Sequence, residues 1–440
     1  MTKDLRVNAD RMLTSFNQLA LIGATAEGGV HRPTFHEAHL AARQWFREEV
    51  QRSGLEFRTD GAGNHSAFLP VIASPSGAKQ SPPRHGETLA PGASAGVASQ
   101  QPLATTLLIG SHLDSVPNGG RFDGALGVIA ALEVLRTVKE SSIKWKVNLE
   151  AIDFTDEEGT LVGLLGSAAL TGHLTPEMLQ SPRGGRENLV EGMQRAGLSD
   201  QSMLSAARPR DSLAGYLELH IEQGKRLERA GIYIGIVSAI VGIWSYRLSF
   251  IGRADHAGTT TMDDRLDASL ASSAFTLGAR ELVVKDFPDC VANVGKMEFA
   301  PGAFNIVPER VVVSLEFRSP DEEEFKRLDV ALLELAGREA LRFGLELRVE
   351  FLGKHSPSLM SDTVQRAYAA ACDDLGLTHV ALTSGAGHDG QSFADVCPVG
   401  MIFVPSVAGA SHSPREFTKW EDCVNGANVL LQAALKLSAE

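Results

Sequence analysis

The stretch that decides the fold is TTLLIGSHLDSVPNGGRFDGALGVIAALEVLRTV, residues 105–138. Its first six residues form a short apolar run typical of a buried strand, and residues 123–138 repeat apolar side chains at helical spacing. A second strand-like run, KVNLEAIDF, occupies residues 146–154. A strand, a helix and a strand within about fifty residues predict a βαβ unit with two parallel strands. The chain is therefore predicted to be an α/β protein.

Further elements of this fold are predicted on both sides of that stretch. YLELHI (216–221) and GMIFVP (400–405) have the composition of buried strands, and residues 8–23 and 34–53 have the spacing of amphipathic helices. Residues 74–104 are rich in Pro, Gly, Ser and Ala and have little apolar periodicity. They are predicted to form a long surface loop or insertion.

A different order of elements begins near residue 244. From there to about residue 352, strand-like and helix-like stretches follow one another in the order βαββαβ. This order predicts a smaller α/β sandwich inserted into the larger domain. The predicted boundaries give a larger domain of residues 1–243 and 354–440 and a smaller one of residues 244–353.

Composition restricts the class of protein and its partners. The chain has 440 residues, of which 43% are hydrophobic, so it can bury a core and is not predominantly disordered. Its 41 basic and 54 acidic residues give a net charge of −13, which disfavours binding to nucleic acid or an anionic membrane. The four cysteines form no CxxC pair, and no apolar stretch is long enough to span a bilayer. These features predict a cytoplasmic protein.

Imidazole and carboxylate side chains follow several of the predicted strands. They are His112, Glu157 with Glu158, His220 and His412. Because ligands of open α/β sheets bind outside the carboxyl ends of the strands, these side chains are expected at one edge, together with Asp123 at the start of a helix. Such ligands suit Zn, Mn, Co or Ni, and Asp123 is the candidate bridge between two ions.

Each of these residues also has an ordinary structural interpretation. A lone His at a strand end is more often a hydrogen-bonded core or surface residue, and Asp123 could simply cap the helix that follows it. GAGHDG, residues 385–390, fits the dinucleotide pattern GxGxxG but lies late in the chain, outside an early βαβ unit. A glycine-rich loop whose backbone approaches a ligand is the better interpretation.

Seven motifs in order carry a resemblance to a known family: GSHLDSVPNGGRFDGALGV, DFTDEEG, LELHIEQG, GRADHAG, FNIVPER, SGAGHDG and MIFVPSVAGASHSP. Together they resemble the hydantoinase/carbamoylase family of amidohydrolases, a branch of the aminoacylase and carboxypeptidase-type dinuclear metallohydrolases. The resemblance spans residues from about 105 to 425. It implies a zinc-peptidase-like catalytic domain and a smaller domain that serves as a lid and for dimerisation.

The resemblance also implies roles for individual residues. One divalent ion would be held by His112, Asp123 and His220, and a second by Asp123, Glu158 and His412. Glu157 would be the general base, and Asp114 would orient His112. The substrate would be contacted by Gln223 on the larger domain and by His256, Asn305 and Arg318 on the smaller one. His256 would reach the active site of the partner subunit in a homodimer and help to stabilise an oxyanion.

The implied reaction is hydrolysis of an N-carbamoyl-L-amino acid to the amino acid, ammonia and carbon dioxide. Allantoate amidohydrolase, β-ureidopropionase and an aminoacylase or dipeptidase remain alternatives, and a non-catalytic dimeric binding protein is the alternative outside the enzymes. The sequence departs from the family where Leu161 and Val162 replace a common Arg-Phe pair. It departs again at Thr261, which precedes Met262 in place of a proline. The first departure bears on the substrate pocket.

Overall fold

The structure is a computed structural model that describes residues 3–71 and 105–439. The loop predicted over residues 74–104 lies outside the described residues. The chain divides into two compact units. The first comprises Met1–Ile236, Ser361–Ala381 and His388–Glu440, and the second comprises Val237–Met360 and Leu382–Gly387.

Helices and strands alternate along most of the described chain. The helices are α1 (Ala9–Ala20), α2 (Glu37–Arg52), α3 (Ala125–Glu140), α4 (Leu165–Thr171), α5 (Pro176–Gln180), α6 (Arg186–Ala196), α7 (Asp200–Leu204), α8 (Arg226–Ala230), α9 (Ala268–Asp286), α10 (Glu322–Arg342), α11 (Asp362–Leu375) and α12 (Trp420–Ala439). The strands are β1 (Glu56–Thr59), β2 (His65–Leu69), β3 (Thr106–His112), β4 (Asn148–Phe154), β5 (Leu213–Ile221), β6 (Ile234–Ile240), β7 (Gly242–Ile251), β8 (Val291–Ala300), β9 (Arg310–Ser319), β10 (Glu346–His355), β11 (Ser358–Leu359), β12 (His379–Ser384) and β13 (Val399–Val404).

The sheet of the first unit contains the predicted parallel strands. Its order is β1-β2-β4-β3-β5-β13, followed by the start of β6. The pairs β3–β4, β3–β5 and β5–β13 are parallel, whereas β1, β2 and β6 join antiparallel. The predicted βαβ unit is therefore confirmed. Because the four central strands are parallel, their carboxyl ends lie at the same edge of the sheet.

Helix α3 lies in the hydrophobic core of this unit. Every residue from 125 to 138 is buried, and its apolar side chains pack with those of α1, α12 and the central strands. The sequence predicts a helix that begins at Asp123, but α3 begins at Ala125. The reason is Gly124, whose φ of 62° is incompatible with a right-handed helix. Asp123 therefore lies in the loop before the helix.

The second unit contains a four-stranded sheet of order β10-β7-β9-β8 in which all neighbours are antiparallel. Alternate residues of β7 and β9, such as Phe250 and Phe317, are buried beneath α9 and α10. The predicted order βαββαβ is observed as β7, α9, β8, β9, α10 and β10.

The second unit also includes a short segment from late in the chain, Leu382–Gly387. Val241 donates a backbone hydrogen bond to Ser384 (3.0 Å), and the Ser238 hydroxyl donates to the Leu382 carbonyl (3.3 Å). These bonds attach the end of β12 to β6. None of the helices in the described ranges is both long and apolar enough to cross a membrane.

Candidate active site

The carboxyl ends of four parallel strands position the candidate metal ligands. His112 is the last residue of β3, and His220 is the last but one of β5. Glu157 and Glu158 follow the end of β4, and His412 follows the end of β13. The structure brings the predicted His and carboxylate side chains of the first unit together at this edge. They form two groups of three side chains that could each hold a metal ion, and both groups include Asp123.

The first set of possible ligands is His112, Asp123 and His220, all buried. Oδ1 of Asp123 lies 3.0 Å from Nε2 of His220 and 3.7 Å from Nε2 of His112. Ligand atoms bound tetrahedrally to one zinc ion at its usual bond lengths lie about 3.4 Å apart. The spacing of these three side chains therefore fits one divalent ion.

The second set is formed around the other oxygen of the same carboxylate. Oδ2 of Asp123 lies 3.3 Å from Nε2 of His412, and that nitrogen lies 3.5 Å from Oε2 of Glu158. The His412 side chain is 54% exposed, whereas that of Asp123 is 6% exposed. The two oxygens of Asp123 thus face different sets of ligands, which is the arrangement expected of a bridging carboxylate.

Hydrogen bonds orient the two buried imidazoles of the first set. Nδ1 of His112 lies 3.1 Å from the backbone carbonyl of Asp114, and Nδ1 of His220 lies 3.0 Å from that of Ile221. A carbonyl only accepts, so each Nδ1 carries the hydrogen and each Nε2 presents its lone pair toward Asp123. Nε2 of His112 is buried and has no hydrogen-bond partner among the described residues.

Asp114 connects His112 to the glutamate pair. Its Oδ1 lies 3.5 Å from Nδ1 of His112, and its carboxylate accepts the backbone N–H groups of Glu157 (3.4 Å) and Glu158 (3.3 Å). The Thr34 hydroxyl donates to Oδ2 (3.0 Å). Asp114 therefore contacts His112 and holds the turn that carries the two glutamates.

The glutamate pair has unusual electrostatics. Oε2 of Glu157 lies 3.4 Å from Nε2 of His112. Burial raises the pKa of Glu157 well above its ordinary value, and burial together with the Asp123 carboxylate raises the pKa of Glu158 to about 7. Buried carboxylates that converge in this way require compensating positive charge, which divalent ions supply.

Gln223 lies beside Asp123. Its Nε2 donates hydrogen bonds to Oδ2 of Asp123 (2.8 Å) and to the Ser411 hydroxyl (3.1 Å). Its backbone has a φ of 56°, which is uncommon for a residue with a side chain. Gln223, predicted to contact the substrate, therefore borders the carboxylate shared by the two ligand sets.

The other predicted substrate residues belong to the second unit. His256 and Asn305 are both exposed. They lie close together, because the backbone N–H of Ala257 donates to the Asn305 carbonyl (3.0 Å) and His256 forms an antiparallel β-bridge with Ile306. Arg318 lies on β9 and donates through Nε and Nη2 to Oε1 of Glu316 at 3.0 and 2.8 Å. Its Nη1 donates to the Gly385 carbonyl (2.6 Å).

Leu161 and Val162, where the sequence departs from the family pattern, lie in a turn that is held by hydrogen bonds. The Asp156 carboxylate accepts the backbone N–H groups of Leu161 (3.1 Å), Val162 (2.5 Å) and Gly163 (2.9 Å). Leu161 is 7% exposed and packs in a hydrophobic cluster with Leu165. The departure therefore adds an apolar side chain to the core of this unit.

The sequence predictions missed three buried residues at the same edge. Glu218 precedes His220 by two residues and shares its face of β5, and the His388 ring lies 4.5 Å from that of His220. Glu416 accepts the backbone N–H of Asp123 (3.0 Å). Glu218 could have been found as a second polar residue within an apolar strand, and His388 lies within the GAGHDG motif.

Comparisons with known proteins identify the family of the chain. The family model described as "Peptidase family M20/M25/M40" matches residues 108–436. An N-carbamoyl-L-amino acid amidohydrolase of Geobacillus stearothermophilus is 36% identical over 434 residues, covering 98% of this chain and 99% of the relative. A ureidoglycolate hydrolase of Arabidopsis thaliana is 30% identical over 452 residues, covering 100% and 89%.

A solved structure extends the match to the whole fold. The amidase of the hydantoinase/carbamoylase family from Burkholderia multivorans has a TM-score of 0.84 and 32% sequence identity, covering 99% of each chain. The resemblance seen in the seven motifs is therefore confirmed along the full length. The chain belongs to peptidase family M20/M25/M40 and, within it, to the hydantoinase/carbamoylase amidases.

Proposed function

We propose that this hydrolase cleaves N-carbamoyl-L-amino acids to the amino acid, ammonia and carbon dioxide. The family is metal-dependent, and a relative that matches 98% of the chain is named for this activity. The observation that carries the proposal is the buried Asp123 carboxylate, whose two oxygens face two separate sets of His and carboxylate ligands.

Two divalent ions per chain are proposed at this carboxylate. His112, Asp123 and His220 would hold one ion, and Asp123, Glu158 and His412 the other. Zn, Mn, Co and Ni all suit such ligands. When bound, the ions would polarise the ureido carbonyl and lower the pKa of the attacking water.

The side chains of the protein would supply proton transfer and orientation. Glu157 would accept a proton from the attacking water and later deliver it to the leaving nitrogen. His256 would donate a hydrogen bond to the oxygen on which negative charge develops. Arg318, which already offers two N–H groups to one Glu316 oxygen, would bind the substrate carboxylate together with Asn305, while Gln223 would contact the substrate from the first unit.

We further propose that the second unit, with predicted boundaries 244–353, acts as a lid and dimerises with a second copy of this chain. Its β8 is an edge strand of the described sheet, and α9 packs beside it. Leu270, Leu277 and Val284, spaced by seven residues on α9, are 40%, 67% and 65% exposed. An apolar stripe beside a free strand edge suits an isologous two-fold interface.

Leu277→Asp should convert the dimer into a monomer, because it places a charge at the centre of the α9 stripe. The measurement is light scattering coupled to size-exclusion chromatography. Val330→Asp is the matched control, since Val330 is 55% exposed on α10 and lies outside the stripe. A dimer in both variants would show that the stripe is not the interface.

A cytoplasmic location is also proposed. All four cysteines, Cys290, Cys372, Cys397 and Cys423, are free thiols, and three of them are buried. Free thiols are typical of proteins from reducing compartments.

The substrate proposal is tested with the metal-reconstituted enzyme and a panel of substrates. The panel contains N-carbamoyl-L-amino acids, their D-enantiomers, N-carbamoyl-β-alanine, allantoate, ureidoglycolate and N-acyl amino acids. We expect the N-carbamoyl-L-amino acids to give the highest kcat/KM for product release. A clear preference for allantoate, for N-carbamoyl-β-alanine or for acyl amino acids would replace the proposal by that alternative. Turnover of none would favour a binding protein.

A further inference from the structure

Glu416 is a buried carboxylate that contacts the backbone leading to Asp123. Its side chain is absent from every predicted ligand set, and the residue is 3% exposed. Oε1 accepts the backbone N–H groups of Phe122 (2.8 Å) and Asp123 (3.0 Å). Because buried backbone N–H groups need an acceptor, Glu416 holds the loop that presents the shared carboxylate.

The other oxygen of Glu416 contacts the segment that carries His412. Oε2 accepts the hydroxyl of Ser411 (2.9 Å), the residue directly before His412. The Ser411 oxygen also lies 3.1 Å from Oδ2 of Asp123. His412 itself has a φ of 52°, so its backbone needs support from its surroundings. One carboxylate thus joins the two loops that face each other across the second ligand set.

The hydroxyl of Ser411 has one hydrogen for two carboxylates. The shorter contact is the one to Glu416, and Gln223 already donates to both Asp123 and Ser411. With Asp123 engaged by ions, the Ser411 hydrogen is best used by Glu416, while the Ser411 oxygen accepts from Gln223. The chain Gln223–Ser411–Glu416 then remains fully hydrogen-bonded.

The sequence also provides the space for this contact. A Cβ atom at Gly120 would lie 1.9 Å from the Glu416 carboxyl group. Only glycine at that position allows the carboxylate to reach the N–H groups of Phe122 and Asp123. The glycine at position 120, in the NGGRFDG motif, is therefore required by the position of the Glu416 side chain, which lies almost three hundred residues later in the sequence.

We infer that Glu416, acting through Ser411, is a positioning residue that sets the separation of Asp123 from His412 and thereby the affinity of the second metal ion. The inference rests on the proposed dinuclear site. The first ligand set shares Asp123, but its other two members, His112 and His220, are oriented by the carbonyls of Asp114 and Ile221 and have no such link to Glu416. His412 directly follows Ser411, so the second set should lose more.

The test is a calorimetric titration of the metal-free full-length chain with Co²⁺. The wild type should bind two ions in separable steps. Glu416→Ala and Ser411→Ala should weaken the second step by about 10–100-fold and change the first by less than about threefold. Glu416→Gln should stay close to the wild type. Its amide oxygen can accept both N–H groups, and its NH₂ group can donate to Ser411, which then donates to Asp123.

Glu421→Gln is the matched control, because Glu421 is an exposed carboxylate at the start of α12. It should leave both steps unchanged. Thermal unfolding of each metal-free variant shows whether it is folded, and if Glu416→Ala is not, Ser411→Ala decides. Equal weakening of both steps, or an unchanged second step in Ser411→Ala, would overturn the inference. A loss in Glu416→Gln as large as in Glu416→Ala would also overturn it, since charge would then matter more than hydrogen bonding. A wild type that binds only one ion would instead overturn the dinuclear proposal.

Discussion

Glu157→Gln should lower turnover by about 10²–10⁴-fold and leave the metal content unchanged, because glutamine cannot accept the proton of the attacking water. Glu157 lies outside both ligand sets that share Asp123, and its Oε2 is 3.4 Å from Nε2 of His112. The substitution nearly preserves the shape of the side chain. The measurements are kcat on an N-carbamoyl-L-amino acid and elemental analysis of the purified variant.

Glu158→Gln is the contrasting variant for this prediction. Glu158 belongs to the second ligand set through its contact with His412, so its loss should weaken metal binding. Excess metal ion should then restore part of the activity of Glu158→Gln and none of that of Glu157→Gln. The backbone of both residues is held by Asp114, which keeps the two substitutions comparable. If the metal were lost from Glu157→Gln and kept by Glu158→Gln, the two roles would have to be exchanged.

The convergence of the candidate ligands could be predicted because it follows from the direction of the strands. His112 and His220 lie at the carboxyl ends of parallel strands, and Glu158 and His412 follow two others, so a correct assignment of the strands places all four at one edge. No contact between side chains had to be known. The second unit could be predicted from the order of its elements, because its βαββαβ series is continuous in the sequence.

Features that depend on local backbone geometry are harder to predict from the sequence. The sequence predicts that Asp123 opens a helix, but the positive φ of Gly124 delays α3 to Ala125. Because glycine has no Cβ, the ring of His112 can also lie 2.4 Å from the position that a Cβ of residue 124 would occupy. Glu416 could not be found by periodicity, because it lies in an irregular loop. The inclusion of Leu382–Gly387 in the second unit depends on hydrogen bonds between segments far apart in sequence.

His256→Ala should lower turnover by about 10²–10³-fold without changing the metal content, because it would remove one donor to the oxyanion. The structure gives this imidazole a defined tautomer. Nδ1 of His256 accepts the backbone N–H of Gly258 (3.0 Å), so Nε2 carries the hydrogen and is available as a donor. His256 is exposed, as a residue that acts on another subunit must be.

Co-expression of Glu157→Gln chains with His256→Ala chains tests whether His256 serves the partner subunit. In a mixed dimer, one site would combine an intact Glu157 with the intact His256 of the opposite chain. With random pairing, roughly half of the dimers are mixed and each has one working site of two, so roughly a quarter of the wild-type activity should return. If His256 serves its own chain, every site in a mixed dimer lacks one of the two groups.

The control for this experiment repeats the co-expression in chains that also carry Leu277→Asp. If α9 forms the interface, these chains cannot form mixed dimers and no activity should return. Contaminating wild-type enzyme would still be active in this control, so its inactivity excludes contamination as the source of the recovered turnover. Mixed dimers are verified by giving the two chains different affinity tags and purifying on both. Activity in doubly purified dimers no higher than in either single variant would mean that His256 acts within its own chain or has no catalytic role. Recovery to roughly half of the wild-type activity in that doubly purified sample would agree with one working site per dimer.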